Sequence, residues 1–81
     1  MQPTDEQREL TFGEKAAGVT FNPSNNENVQ NIKQHFADII DLLNGFKEGT
    51  QDGEIKRMLS VAITETQTAQ MWAVKAVTWS L

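Results

Sequence analysis

The stretch VQNIKQHFADIIDLLNGF, residues 29–46, decides the fold. Its apolar residues fall at Val29, Ile32, Phe36, Ile39, Leu43 and Phe46, in alternating steps of three and four. That spacing draws one stripe along an α-helix, and Ile40 and Leu42 widen it. Just upstream, Asn22-Pro23-Ser24-Asn25-Asn26 is a turn cluster in which Pro23 pushes Asn22 out of the helical region. Ser24 or Asn26 supplies the N-cap. Gly45 weakens the last turn, and Gly49 and Gly53 bracket a short connection, so this helix is expected over 24–48.

A second helix is expected over 52–79, with a seam of Ile55, Leu59, Ala62, Thr66, Ala69, Ala73 and Ala76. The seam residues become small along the helix, which permits close approach toward its C-terminal half. A connection this short makes the pair antiparallel, an αα-hairpin. Met58 and Val61, then Met71, Trp72, Val74, Val77 and Trp79, lie off that seam. From Met71 onward the helix is apolar almost all round, more than one partner helix can cover. The surplus assigns Met71, Trp72, Val74 and Trp79 to a contact between copies of the chain.

Ahead of the hairpin lies an N-terminal segment, 1–23. Thr4 and Gln7 have capping-box spacing, and Asp5 and Glu6 suit a first helical turn, so a short helix is expected from about Asp5 to Leu10. Gly18-Val19-Thr20-Phe21 reads as extended. The expected fold is therefore all-α: a single domain over 1–81, built as a two-helix hairpin with a short helical or extended N-terminal segment, assembling into a compact homo-oligomer.

Composition supports the oligomer and excludes several functions. At 81 residues the chain is one small domain, a size that buries only about 60% of its unfolded surface. It has no cysteine, so neither disulfides nor thiolate ligands can reinforce it, and association between copies is the remaining common remedy. Its one histidine, His35, rules out a His/Cys zinc site. No apolar run is long enough to span a membrane, and the start MQPTDEQREL lacks the pattern of a secretory signal, so the expected compartment is a cytosol. The net charge is −4. An acidic chain is a poor binder of long nucleic acid, although a small phosphorylated ligand needs only a few placed donors.

Four groups of residues invite a chemical reading. His35, Asp38 and Asp41 share a helix side, but one imidazole with two aspartates is a weak metal signal, and the group reads as a solvated face. No cofactor, metal or catalytic residue is expected. The turn at Asn22–Asn26 feeds a helix N-terminus, where free N–H groups can seat an anion, or its polar side chains simply cap the helix. Trp72, Lys75 and Trp79 line one side of the second helix. A lysine between two indoles can hold a phosphate while the rings stack on a base, or it can snorkel from a subunit interface. Thr64, Thr66 and Thr68 are poor helix formers, so they back-bond to carbonyls or line a polar pore or contact between subunits.

Two stretches carry more than generic pattern: Phe21-Asn22-Pro23-Ser24 leading into VQNIKQHFADIIDLL, and TETQTAQMWAVKAVTW at 64–79. In this order and spacing, across residues 12 to 79, the chain resembles the hairpin domain of phage cyclic-oligonucleotide sponges. These include the anti-CBASS protein that sequesters cyclic dinucleotides and trinucleotides, and the related anti-Thoeris sponge for a cyclic ADP-ribose isomer. The resemblance implies a homohexamer in the cytoplasm of the infected bacterium. It implies signalling nucleotides held between protomers without cleavage, so that host effectors stay inactive. The shortness of the chain favours the anti-CBASS type.

Carried over by residue type, Phe12 and Lys15 match an aromatic and a basic residue that touch the cyclic dinucleotide. Phe21, Asn22, Pro23 and Ser24 match the family turn, and Lys75 with Thr78 match a basic residue and hydroxyl facing a cyclic trinucleotide. Lysine where the family has arginine gives up bidentate phosphate contact. Arg57 is a further phosphate candidate outside any motif. The competing reading is a structural or adaptor oligomer with no nucleotide ligand. A transcription regulator is disfavoured by the acidic balance and the absence of a basic recognition helix.

Overall fold

The computed structural model describes residues 9–80. They form three helices: α1 (Phe12–Ala17), α2 (Glu27–Gly49) and α3 (Gly53–Val77). The fold is all-helical, as expected, and α2 and α3 form the hairpin. Three residues, Thr50 to Asp52, join them. Asp52 caps α3, its carboxylate accepting from Glu54 N (2.9 Å) and Ile55 N (3.2 Å). Asn26, not Ser24, caps α2 by accepting from Asn28 N and Val29 N.

The N-terminal segment departs from expectation. The helix expected near Asp5–Leu10 falls almost wholly outside the described residues, and Glu9 and Leu10 are not helical. The first described helix starts later, at a second capping box: Thr11 Oγ1 accepts from Glu14 N, and Glu14 Oε1 accepts from Thr11 N. Nor are residues 18–21 extended. Gly18 ends α1 in the left-handed region (φ 67°), Val19 N bonds to Glu14 O, and Phe21 N bonds to Gly18 O. The chain coils into a turn because glycine adopts that conformation without a steric penalty.

The buried line on each long helix is rotated from the expected seam. On α2 the buried residues are Val29, Lys33, Ala37 and Ile40, whereas Ile39 and Phe46 lie exposed. On α3 they are Ile63 and Gln70, while Ile55, Ala69 and Ala76 are exposed. The cause is α1, which docks on α2 beside α3. The shielded side of α2 is therefore the one lying between two neighbours, and small Ala37 lets α1 come close. Sequence periodicity finds apolar faces, but it cannot say which face receives a neighbour within one chain.

Among the described residues the buried apolar ones are few: Ala17, Val19, Val29, Ala37, Ile40 and Ile63. The molecule is also thin. It measures 43 × 39 × 13 Å, little more than one helix diameter in its shortest direction. Its radius of gyration is 14.3 Å, against about 12 Å for a compact domain of this length. Among the described residues, a single layer of helices leaves both broad faces uncovered. No described helix is long and apolar enough to cross a membrane.

Candidate functional site

α1 and the turn after it carry the first group of expected ligand residues. Phe12 and Lys15 are one helical turn apart on α1, and both face outward. The helix beneath them is fastened to α2. Asp41 accepts from Thr11 Oγ1 (2.6 Å) and from Gly13 N (2.7 Å). An added Cβ at Gly13 would sit 2.1 Å from Ala37 O, so only glycine permits this approach. Asp41 thus departs from the expected solvated face. Asp38 and His35 keep to it: Asp38 accepts from Gln34, and His35 Nδ1 lies 2.7 Å from Asn31 O. Among the described residues, no three His, Asp or Glu side chains cluster as a cation would need.

Phe21 is 70% exposed, and its ring lies over the ammonium of Lys33, 5.4 Å from Nζ to the centroid. Lys33 itself is buried and donates to Gly18 O (3.1 Å) and Phe21 O. The polar groups of the turn bond largely to one another. Asn22 Nδ2 donates to Asn26 O, Ser24 Oγ donates to Asn22 Oδ1, and Asn26 N donates to Ser24 Oγ. With Asn26 also holding the first free amides of α2, these side chains cap and brace. An anion at this turn would have to displace them.

The second group lies on the last turns of α3. Trp72 is 66% exposed, and Lys75 Nζ stands 5.4 Å from its ring centroid. With Thr68 and Met71 they line a shallow hollow of about 280 Å³. Trp79 is 77% exposed, Met71 is exposed, and Val74 is half-buried. Thr78 caps the helix, its hydroxyl donating to Val74 O at 2.7 Å. Thr66 and Thr68 back-bond to Ala62 O and Thr64 O.

Arg57 belongs to neither group. It sits near the start of α3, about 27 Å along the helix from Lys75. It forms a two-point pair with Glu54, at 2.6 and 3.1 Å. That hydrogen-bonded pair lowers the Glu54 pKa and raises that of Arg57. A larger apolar hollow, about 650 Å³, opens at the hairpin bend among Leu42, Phe46, Thr50 and Ile55. Among the described residues its one charged lining group is the Asp41 carboxylate, which would repel a phosphate.

Sequence reasoning missed Lys33, Asp41, Gln67 and Gln70 as structural residues. Gln67 Nε2 reaches Ala16 O at 3.4 Å, joining α3 to α1, and Gln70 is buried. The signal for Lys33 was present: it stands one turn from both Val29 and Ala37.

The arrangement defines a class: a one-layer helical hairpin with a small docked helix, its aromatic and cationic side chains displayed on outer faces. Comparison with known families makes this specific. Residues 14–78 match the family described as Acb2/Tad1, hairpin domain, and the chain belongs to that family. It is a family of phage cyclic-oligonucleotide sponges, of the anti-CBASS and anti-Thoeris kinds. No curated protein and no solved structure matches the chain.

Proposed function

We propose that this protein is a phage anti-defence sponge that sequesters cyclic dinucleotides such as cyclic GMP–AMP, and cyclic trinucleotides as a second class, without cleaving them. It acts in the cytoplasm of the infected bacterium and blocks CBASS signalling. The observation that carries the reading is the family match over residues 14–78. The site is shared between copies in a homo-oligomer, a hexamer by family resemblance. Physical support comes from the uncovered faces. Trp72, Trp79, Phe46 and Leu42 are each more than half exposed in the single chain. A one-layer chain also lacks an interior in which to enclose two phosphates and two bases, and pooling surfaces from several copies supplies one. Phe12 and Lys15 on one side of α1 offer a ring to a base and a charge to a phosphate. Phe21 extends that surface, while Asn22 and Ser24 shape its turn.

The test is calorimetric titration with cyclic GMP–AMP, followed by heat release and chromatography of the nucleotide. Tight binding with intact ligand recovered is the expected result. A linear product would mean an enzyme. Absence of binding would move the assignment to the cyclic ADP-ribose isomer, to be titrated next, and then to an adaptor oligomer without a nucleotide ligand.

A further inference from the structure

We infer that Asp41 and Lys33 are positioning residues for the nucleotide surface: two oppositely charged clasps on α2 that hold α1 and its following turn in the binding geometry. The inference rests on the proposed sponge function and adds residues that are not among its contacts. Lys33, Ala37 and Asp41 are successive one-turn neighbours on α2, and the clasps are about 12 Å apart along its axis. α1, six residues and about 9 Å long, fits between them. Asp41 grips the front of α1 through Thr11 Oγ1 and Gly13 N, the residues on either side of Phe12. Lys33 grips the rear through Gly18 O and Phe21 O, and its ammonium faces the Phe21 ring. Lys15 lies between the two grips.

The clasps matter because the other contacts that hold α1 are weak or small, the Gln67 bond to Ala16 O being long at 3.4 Å. The apolar cluster beneath it is Ala17, Val19 and Ala37, with Leu10 at its edge. A six-residue helix is unstable alone. Asp41 supplies a charged acceptor at the N-terminal end of α1, where the helix dipole favours it, and Lys33 supplies a charged donor at the carbonyl end. Each opposes the end it meets. Together they fix the direction of α1 on α2 as well as its position, and exchanging the two charges would disfavour both ends. If α1 is docked only a tenth of the time, the apparent affinity of any ligand that needs it falls about tenfold.

The test uses Asp41→Ala, Lys33→Met and Lys33→Arg in the full chain. Three readouts apply: amide hydrogen exchange over residues 12–21 without ligand, oligomer mass by light scattering, and calorimetric affinity for cyclic GMP–AMP. The expected result is exchange raised about tenfold or more over 12–21 in Asp41→Ala and Lys33→Met, with α2 and α3 protected and mass unchanged. Affinity falls by a similar factor, and Lys33→Arg recovers much of both losses. Unchanged exchange over 12–21 overturns the clasps whether or not nucleotide binds. Raised exchange with unchanged affinity overturns the positioning role. If the wild-type protein binds neither cyclic dinucleotide nor cyclic ADP-ribose isomer, the sponge reading fails and the positioning role with it. The exchange data still decide whether the clasps exist.

Discussion

Gly13 and Asp41 meet across 28 residues of chain, the Gly13 amide donating to the Asp41 carboxylate at 2.7 Å. The contact needs glycine, since a methyl group there would run into the backbone oxygen of Ala37 and crowd the Asp41 carboxyl at 2.8 Å. Gly13→Ala is therefore expected to push α1 off α2 at a cost of about 1–3 kcal/mol. Urea denaturation should show the loss, while far-UV circular dichroism retains most of the helical signal from α2 and α3. Wild-type stability in this variant would mean that α1 docks elsewhere.

Trp72 tests the assembly. It stands two-thirds exposed at 66%, beside exposed Met71. Replacing it with glutamate places a charge where a partner chain is proposed to close, which costs several kcal/mol if the site is dry. Trp72→Glu should reduce the particle to smaller species by light scattering. An intact oligomer would show that this face stays open to solvent.

The hairpin was legible because heptad spacing and a glycine-bracketed connection are local signals. The rotation of its buried faces was not, because that depends on where α1 docks. α1 itself was half legible. Thr11-x-x-Glu14 repeats the capping-box pattern seen at Thr4 and Gln7, but only six residues follow before Gly18 stops the helix. Asp41 reads as part of a solvated face and Lys33 draws no reading, because their partners, the Thr11 hydroxyl and backbone groups of residues 13, 18 and 21, lie 12 to 30 residues away. Such contacts leave no periodic trace. The candidate ligand residues were found mainly through family pattern, and the structure places Phe12 with Lys15 and Lys75 with Trp72, but leaves Arg57 apart.

Lys15 tests the dinucleotide contact directly. Its ammonium is on the outer side of α1 and exposed. Lys15→Ala should weaken cyclic GMP–AMP binding by about ten- to a hundredfold, the scale of one charge-assisted hydrogen bond to phosphate. Light scattering should report an unchanged mass. Unchanged affinity would remove Lys15 from the site.

Arg57 is already engaged, so its part in phosphate binding has a sharper test than deletion. A phosphate must compete with the Glu54 carboxylate for the guanidinium. Glu54→Ala should tighten cyclic GMP–AMP binding severalfold and Arg57→Ala should loosen it; no response to either would confine the pair to the helix surface. The pair also has a definite pH dependence. Because Glu54 is held below the ordinary carboxylate range, its contribution is complete above that range and disappears as pH falls through the lowered pKa. In Arg57→Ala, NMR titration should find the Glu54 carboxyl back near its ordinary value.

Lys75 tests whether the last turn of α3 takes the proposed second ligand class. Its ammonium faces the Trp72 ring and presents one point charge to solvent. An arginine there would keep the stacking on Trp72 and add a planar fork matched to phosphate oxygens. Lys75→Arg should strengthen binding of a cyclic trinucleotide by about tenfold, and Lys75→Ala should weaken it by a similar factor. Neither should move the cyclic GMP–AMP titration, since that contact is proposed for α1. If both variants bind the trinucleotide as the wild type does, Lys75 and its neighbour Thr78 serve the subunit contact and helix cap alone. A parallel change in both titrations would instead place the two ligands in one shared pocket.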